Sequence, residues 1–404
     1  MQLNTNPDQI NEVLSRGVAE VLPNRTALVK LMTERPIKVY LGIDPSGPLL
    51  TLGHSVVLRK LQQFANLGHE VILLIGNGTV RIGDPTGRDT SRPILTDEQI
   101  EANFKDWRAQ ASKILDFSKI KIMHNGDWLD KLSYADMVKL MAQVTVQQLI
   151  ERDMFQTRIK KGLPIFGHEI MYPVLQGYDS VAMNVDLEIG GTDQTFNMLM
   201  GRTLQKAVNN REKWVLSTPL INGTDGRKMS KSFGNYVALT DEPSQMYGKL
   251  MSISDDMIIQ YFTVLTDETL DAIGDMEQAM QSGDNPMQFK KQLAWTITKM
   301  YHTAEAANQA QANFESGVQN KEVPDDAQEI EVSQAELAQM TVLNLLQKCV
   351  PEESSSNLRR LVEQNAIEFQ PSNYRPSDPF EKLAGKEFES VRVGKRRFYK
   401  IVWR

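Results

Sequence analysis

Along the chain the apolar positions fall into two periods. Residues 37–41 (Ile37-Lys38-Val39-Tyr40-Leu41) form a short β-rich run, and Asp44-Pro45-Ser46-Gly47-Pro48 is a dense cluster of turn residues. From Ser55 to Phe64 the apolar residues recur at helical spacing, so the pattern predicts strand, glycine turn and helix in succession. Residues 70–76 are a continuous apolar run of strand length, which suits a parallel strand buried on both faces. Upstream, helical periodicity from Ile10 to Leu31 breaks at Pro23 and predicts two short helices before the first strand. Residues 96–162 read as mostly helical around a β-like run at 120–123, and 154–158 show no assignable period. If Tyr172, Gln176 and Asp179 lie on a helix, they occupy i, i+4 and i+7, three hydrogen-bonding groups on one stripe, with Pro173 near the helix start. Beyond Asn235, residues 242–278 and 287–317 are helical in pattern, while 320–329 is acidic, poor in apolar residues and marked by Pro324, as a linker would be.

Composition adds boundaries. A chain of 404 residues, 41% hydrophobic and 24% charged, is an ordinary globular mix with room for two or three domains. The single cysteine, Cys349, excludes an intramolecular disulfide framework and points to a reducing compartment. Apolar runs stop short of the ~20 residues that a membrane span needs. The N-terminus lacks a charged-then-apolar signal pattern, so the expectation is a cytoplasmic protein with no membrane contact. The five histidines show no metal-ligand spacing; His168-Glu169 opens like a zinc-protease helix but Tyr172 stands where the second ligand belongs, and no metal is expected. Residues 76–81 fail the dinucleotide-binding pattern at its last glycine, and no Walker loop occurs. The net charge of −6 speaks against nucleic acid, but residues 391–404 are basic and interleaved with aromatics. That end suits phosphates and unstacked bases, or a charged terminal strand packed by its own Phe and Trp.

The chemistry concentrates in two stretches. A strand, a tight glycine turn and a helix N-terminus at 41–54 make an anion site, because unpaired backbone N–H groups and the helix dipole face whatever sits there. Residues 226–235 place two lysines, two serines and flanking glycines in a short polar loop, suited to a mobile polyphosphate clamp. Together, Gly53-His54 and the full Lys228-Met229-Ser230-Lys231-Ser232 resemble the paired signatures of class I aminoacyl-tRNA synthetases. Thr51 stands where the family has its leading histidine; a hydroxyl donates to phosphate but lacks the imidazole's charge and reach, so weaker ATP activation is the expected cost. Tyr40, 42–46, 83–87, the Tyr172, Gln176 and Asp179 stripe and 190–194 narrow the resemblance to the bacterial tyrosyl-tRNA synthetases, over nearly the whole chain.

That resemblance implies an α/β Rossmann-like, doubly wound parallel sheet as catalytic domain over 1–236, with a helical insertion around 96–165. A helical tRNA-binding domain over 237–318, a linker over 319–338 and a small α+β S4-like RNA-binding domain over 339–404 would follow. Tyr40 and Asp179 would meet a phenol, Asp84, Tyr172 and Gln176 an α-ammonium, with Gln194 and Asn125 in support. Gly42, Asp44, Gly53, His54, Gly191, Asp193, Met229 and Ser230 would border ATP. Ser46, Thr51, Lys228 and Lys231, with Arg88 and Arg92, would stabilise departing pyrophosphate, and Arg359, Arg360, Lys395, Arg396 and Arg397 would meet RNA. The implied substrates are tyrosine, ATP with Mg2+ and tRNA(Tyr), and the implied assembly is a homodimer. Two rivals are a paralogue that has lost aminoacylation and keeps RNA or ligand binding, and an enzyme for another amino acid such as tryptophan. Against the latter, indole offers a donor but no acceptor to Tyr40 and Asp179.

Overall fold

The computed structural model describes residues 3–86, 95–316, 327–337, 339–394 and 397–403. The chain forms two compact units, one of residues 1–241 with 253–289, the other of 242–252 with 290–404. The helical stretch expected over 237–318 is thus shared between them.

The first unit is built on a six-stranded sheet ordered β1-β6-β5-β2-β3-β4. Its strands are β1 (Glu20–Leu22), β2 (Lys38–Ile43), β3 (Glu70–Ile75), β4 (Ile120–His124), β5 (Leu187–Gly191) and β6 (Trp214–Thr218). All pairs are parallel except β1 with β6. Chain order runs outward from β2 through β3 to β4, then restarts on the other side at β5, so the sheet is doubly wound with its switch point between β2 and β5. Helices α1 (Pro7–Val13), α2 (Arg25–Glu34), α3 (Leu52–Asn66) and α4 (Asp97–Ala111) come first. The short α5 (Gly126–Leu129), α6 (Tyr134–Met141), α7 (Val146–Ile150) and α8 (Asp153–Lys160) precede the long α9 (Gly167–Met183) and α10 (Thr195–Asn209). Helices α9 and α10 pack so closely that a Cβ on Gly177 would stand 3.0 Å from the Gly201 amide nitrogen, which leaves glycine as the residue that fits.

At four places the structure sharpens or changes the sequence reading. A strand, β1, lies between the two N-terminal helices; three residues on an antiparallel edge carry too little pattern to show in sequence. Residues 154–158 belong to α8. The β-like run at 120–123 is a strand as expected, and as β4 it joins the main sheet, so the stretch around 96–165 carries one of the sheet's strands between its helices. Pro173 sits inside α9, six residues past its start, and is buried.

In the second unit α11 (Pro243–Leu250) packs on α15 (Ala304–Phe314), with α14 (Pro286–Tyr301) preceding it; α12 (Ile258–Leu265) and α13 (Leu270–Gln281) belong to the first unit. The C-terminal sheet, ordered β7-β10-β9-β8, consists of β7 (Gln328–Val332), β8 (Ile367–Gln370), β9 (Ser390–Val393) and β10 (Arg397–Trp403). Three more helices, α16 (Gln334–Leu337), α17 (Val342–Cys349) and α18 (Ser355–Glu363), accompany it, and Leu345, Leu346, Leu358, Val362 and Phe369 fill its core. Because β7 pairs in parallel with β10, the small domain begins before residue 339 and takes up part of the expected linker; residues 317–326 lie outside the described ones.

Candidate active site

The C-terminal ends of β2, β3 and β5 border a cavity of about 300 Å3, at the switch point of the sheet. Its lining brings together Tyr40, Gly42, Asp44, Ser46, Thr51, Gly53, His54, Asp84, Asn125, Tyr172, Gln176, Asp179, Gly191, Asp193, Gln194, Lys228 and Met229. These residues come from segments far apart in sequence. Arg88 and Arg92 lie outside the described residues.

At the inner end Tyr40 is fully buried and its hydroxyl lies 2.9 Å from Ser180 Oγ. Asp179, 2% exposed, accepts from Asn125 Nδ2 at 3.1 Å and from Trp128 Nε1 at 2.9 Å. Burial pushes both groups well above their ordinary pKa values, while the two donors on Asp179 pull it back toward the carboxylate. Asn125 also accepts from the Gly78 amide at 2.8 Å, so it locks the turn after β3 onto α9.

Along one wall Tyr172 donates to Asp44 Oδ2 at 2.9 Å and Thr79 Oγ1 donates to Asp44 Oδ1 at 2.8 Å. A Cβ at position 76 would overlap Asp44 Oδ1, so Gly76 is what lets that carboxylate approach the end of β3. Gln194 Nε2 donates to Asp84 Oδ2 at 2.7 Å, and Asp84 Oδ1 accepts from the Thr86 amide at 3.0 Å. Gln176 Nε2 donates to Glu188 Oε1 at 3.2 Å. Arg152, packed over the Phe196 ring, donates to Thr86 Oγ1 at 2.6 Å; burial lowers its pKa and the charge of Asp84 opposes this.

The opposite wall is the N-terminus of α3. The Thr51 amide donates to His54 Nδ1 at 3.1 Å, and Thr51 Oγ1 lies 2.9 Å from the same nitrogen. With Nδ1 accepting, the neutral ring carries its hydrogen on Nε2. Burial first, and then the Lys231 ammonium, push the His54 pKa down to about 4. A Cβ on Gly53 would meet only Thr51 Oγ1 at 3.5 Å and the Met229 sulfur at 3.7 Å, ordinary contacts, so packing within the chain does not demand glycine there.

The loop at 226–235 is tied to that wall. The Leu52 amide donates to Val237 O at 3.0 Å and the Leu239 amide to Leu50 O at 2.9 Å, so the chain leaving the loop pairs with the chain entering α3. Lys228 Nζ donates to Asp193 Oδ2 at 2.8 Å, and Lys231 Nζ lies 3.3 Å from where a Gly47 Cβ would be. Asn235, almost fully buried, accepts from the Ser230 amide at 2.8 Å and donates to Asp225 Oδ1 at 2.7 Å and Lys228 O at 3.2 Å. Lys231 and Ser230 are in this loop but do not line the cavity.

Sequence reasoning missed Trp128, Thr79, Ser180, Arg152, Glu188 and Lys213. The one available signal was Glu188, a carboxylate inside an otherwise apolar strand. Of the basic positions in the second unit, Arg359 lies over the Phe380 ring and Arg360 donates to Asn357 Oδ1; both are exposed. Arg397 faces Glu353 at 3.3 Å, and Lys395 and Arg396 lie outside the described residues. Phe398 and Tyr399 are buried in the sheet's packing and are not free to stack on bases. Among the described residues no group of three or more His, Cys, Asp or Glu side chains is placed to hold a metal ion, and no helix is long and apolar enough to cross a membrane.

Residues 32–319 match the family model of class I tRNA synthetases (W and Y). The chain is 42% identical to a tyrosine–tRNA ligase of Thermotoga maritima over 98% of both chains, and 39% identical to one of Aquifex aeolicus over 98% of this chain and 99% of that one. A tyrosyl-tRNA synthetase from Archaeoglobus fulgidus, solved in complex with L-tyrosine, superposes with a TM-score of 0.62 at 20% identity, covering 76% of this chain and all of that one. This last similarity concerns the fold.

Proposed function

This chain belongs to the class I tRNA synthetases of the tryptophan and tyrosine type, and from that membership we propose that it joins tyrosine to tRNA(Tyr) at the cavity beyond β2 and β5. It is a tyrosine–tRNA ligase, an ATP-dependent aminoacyl-tRNA synthetase.

In the first step an oxygen of the tyrosine carboxylate attacks the α-phosphorus of ATP. A new P–O bond forms, the bond to the β-phosphate bridge breaks, and pyrophosphate leaves with its Mg2+. In the second step a ribose hydroxyl at the tRNA 3′ end attacks the acyl carbon and AMP departs. No protein nucleophile is required, so the residues act by position and charge. Tyr40 and Asp179 take the phenol; a side chain without a hydroxyl would cover the hydrogen-bonding capacity that Ser180, Asn125 and Trp128 leave on these groups and return nothing for it. Asp84, Tyr172 and Gln176 receive the α-ammonium, with Gln194 holding the Asp84 carboxylate in line and Asn125 that of Asp179. His54 offers Nε2–H and Gly53 its bare backbone to ATP, with Gly42, Asp44, Gly191, Asp193 and Met229 around it. Ser46, Thr51, Lys228, Ser230 and Lys231, with Arg88 and Arg92, neutralise the pyrophosphate. Magnesium arrives as part of the ATP substrate.

The observation that carries this reading is that Tyr40 and Asp179 line one cavity with Gly53 and His54 of the first signature and Lys228 and Met229 of the second. The exposed Arg359 and Arg360 on α18, with Lys395, Arg396 and Arg397, support tRNA contact by the S4-like C-terminal domain. Six exposed apolar side chains between Tyr134 and Phe166 support a homodimer. The test is tyrosine-dependent exchange of labelled pyrophosphate into ATP, run beside phenylalanine and tryptophan and without tRNA. Exchange with tyrosine alone is expected, followed by charging of tRNA(Tyr); no exchange from folded protein overturns the reading.

A further inference from the structure

At the inner end of the cavity lies an ion pair, of which Glu188 is a lining residue and Lys213 is not. Lys213 is fully buried and Glu188 is 2% exposed, and the Lys213 ammonium bonds Glu188 Oε2. Lys213 Nζ also donates to Met198 O at 3.0 Å and stands 5.7 Å from the centre of the Tyr40 ring. A Cβ on Gly201 would run into Lys213 Nζ and Ser180 Oγ, so a glycine of α10 leaves the hollow that this cluster fills. Two charges at such depth carry a heavy desolvation cost, and an apolar pair would pack the space as well or better. Stability alone therefore gives no reason for them.

Their geometry supplies another. Glu188 Oε1, the oxygen that Lys213 leaves, accepts from Gln176 Nε2 at 3.2 Å. A carboxylate held by an ammonium accepts hydrogen bonds and cannot donate them, whereas a carboxamide can present either its NH2 or its oxygen. The Gln176 amide must therefore turn its NH2 down to Glu188 and its oxygen the other way. Gln176 lines the cavity, and its Oε1 is buried and has no hydrogen-bond partner among the described residues. An unpaired buried acceptor is costly until a donor arrives.

We infer that Glu188 is a positioning residue, held by Lys213, which fixes the Gln176 carboxamide with its oxygen toward the ligand and so makes the site selective for an amino acid that brings an ammonium. This rests on the tyrosine reading given above. Through Gln176 the pair acts on the amine end of the substrate. It also borders Tyr40, whose pKa is raised by burial and then by the charge of Glu188, so the amine effect is read as a ratio between two ligands that share the phenol.

The experiment compares L-tyrosine with 3-(4-hydroxyphenyl)propanoate, which keeps the phenol and carboxylate and lacks the amine. Dissociation constants for both are measured on the full-length wild type, on Glu188→Gln combined with Lys213→Met, and on Glu188→Asp. The double variant removes the charges together and lets residue 188 donate as well as accept. The aspartate keeps the charge and withdraws it from Gln176. In a folded variant tyrosine binding should weaken about tenfold more than binding of the analogue, as loss of one charge-assisted hydrogen bond would give. Equal loss for both ligands, or no loss for either, overturns the inference and leaves the pair a packing feature. If the double variant does not fold, Glu188→Asp decides by the same ratio. A wild type that does not bind tyrosine at all sinks the tyrosine reading instead.

Discussion

Asp179 holds an indole N–H on one oxygen and a carboxamide N–H on the other, and a carboxylate with about four acceptor positions still has room for a phenol. On the proposed reading, replacing it by alanine strips the phenol of its acceptor; it leaves Trp128 without one and Asn125 with Thr79 Oγ1 alone. The preference for tyrosine over phenylalanine in pyrophosphate exchange should fall at least tenfold, roughly the 1–3 kcal/mol of a buried polar group left unpaired; an unchanged ratio would remove Asp179 from the phenol site. At the other wall His54 has its pKa pushed down to about 4 by burial and by Lys231, and His69, buried under β2, is likewise pushed down to about 4, chiefly by burial. Since an unfolded histidine titrates near 6.5, the unfolded chain takes up these protons first. Their contribution to stability is therefore present above about pH 6.5 and lost as the pH falls toward 4. Urea midpoints measured at pH 7.0, 5.5 and 4.5 should decline in that order, and His69→Gln should flatten the decline; a midpoint independent of pH over this range would contradict both shifts.

At the scale of elements, the loop at 226–235 is organised by one side chain. Asn235 reaches the backbone of Lys228 and Ser230 and the carboxylate of Asp225, and a Cβ at Gly223 would overlap it, so the glycine is what allows this closeness. Asn235→Ala removes all of these hydrogen bonds and should loosen the loop that carries both lysines, raising the KM for ATP at least about tenfold, with tyrosine affinity unchanged. Equal effects on the two substrates in exchange kinetics would mean the loop shapes the whole cavity. This loop was legible from sequence because its residue types are unusual together, and β2, β3 and the start of α3 because central parallel strands read as apolar runs ended by turn residues. The stripe on α9 was legible from spacing alone. Other features carried no such signal. The three residues of β1 pair with a strand far along the chain, and Lys213 looks like any charge beside a strand until β6 is laid against β5. Trp128 reads as a core aromatic, and only the fold turns its Nε1 onto Asp179. Of the two readings left open for the basic, aromatic end, Phe398 and Tyr399 follow the packed strand: they are interior residues of a sheet whose first strand, β7, came from a stretch too acidic to suggest one.

For the molecule as a whole, the distribution of exposed apolar groups bears on assembly. Thirteen large hydrophobic side chains are exposed among the described residues, and six of them (Tyr134, Val138, Val146, Ile159, Leu163 and Phe166) fall between positions 134 and 166. Singly such residues need no explanation, but six of the thirteen come from three successive short helices and the loop after them, a share that motivates a test for an interface there. Beneath them Leu140 and Leu149 are buried against Val174, Val181 and Leu204, so the helices already have a core on their inner side and the outer apolar groups are not needed to fill it. A second copy of the same surface is the partner that closed two-fold symmetry provides. Aspartate at both Val138 and Ile159 would introduce a ring of like charges across such an interface while leaving the inner packing intact. Sedimentation should then show a dimer for the wild type and a monomer for the double variant, with unchanged far-ultraviolet circular dichroism. A wild type that sediments as a monomer at micromolar concentration would show that this surface is not a homodimer interface.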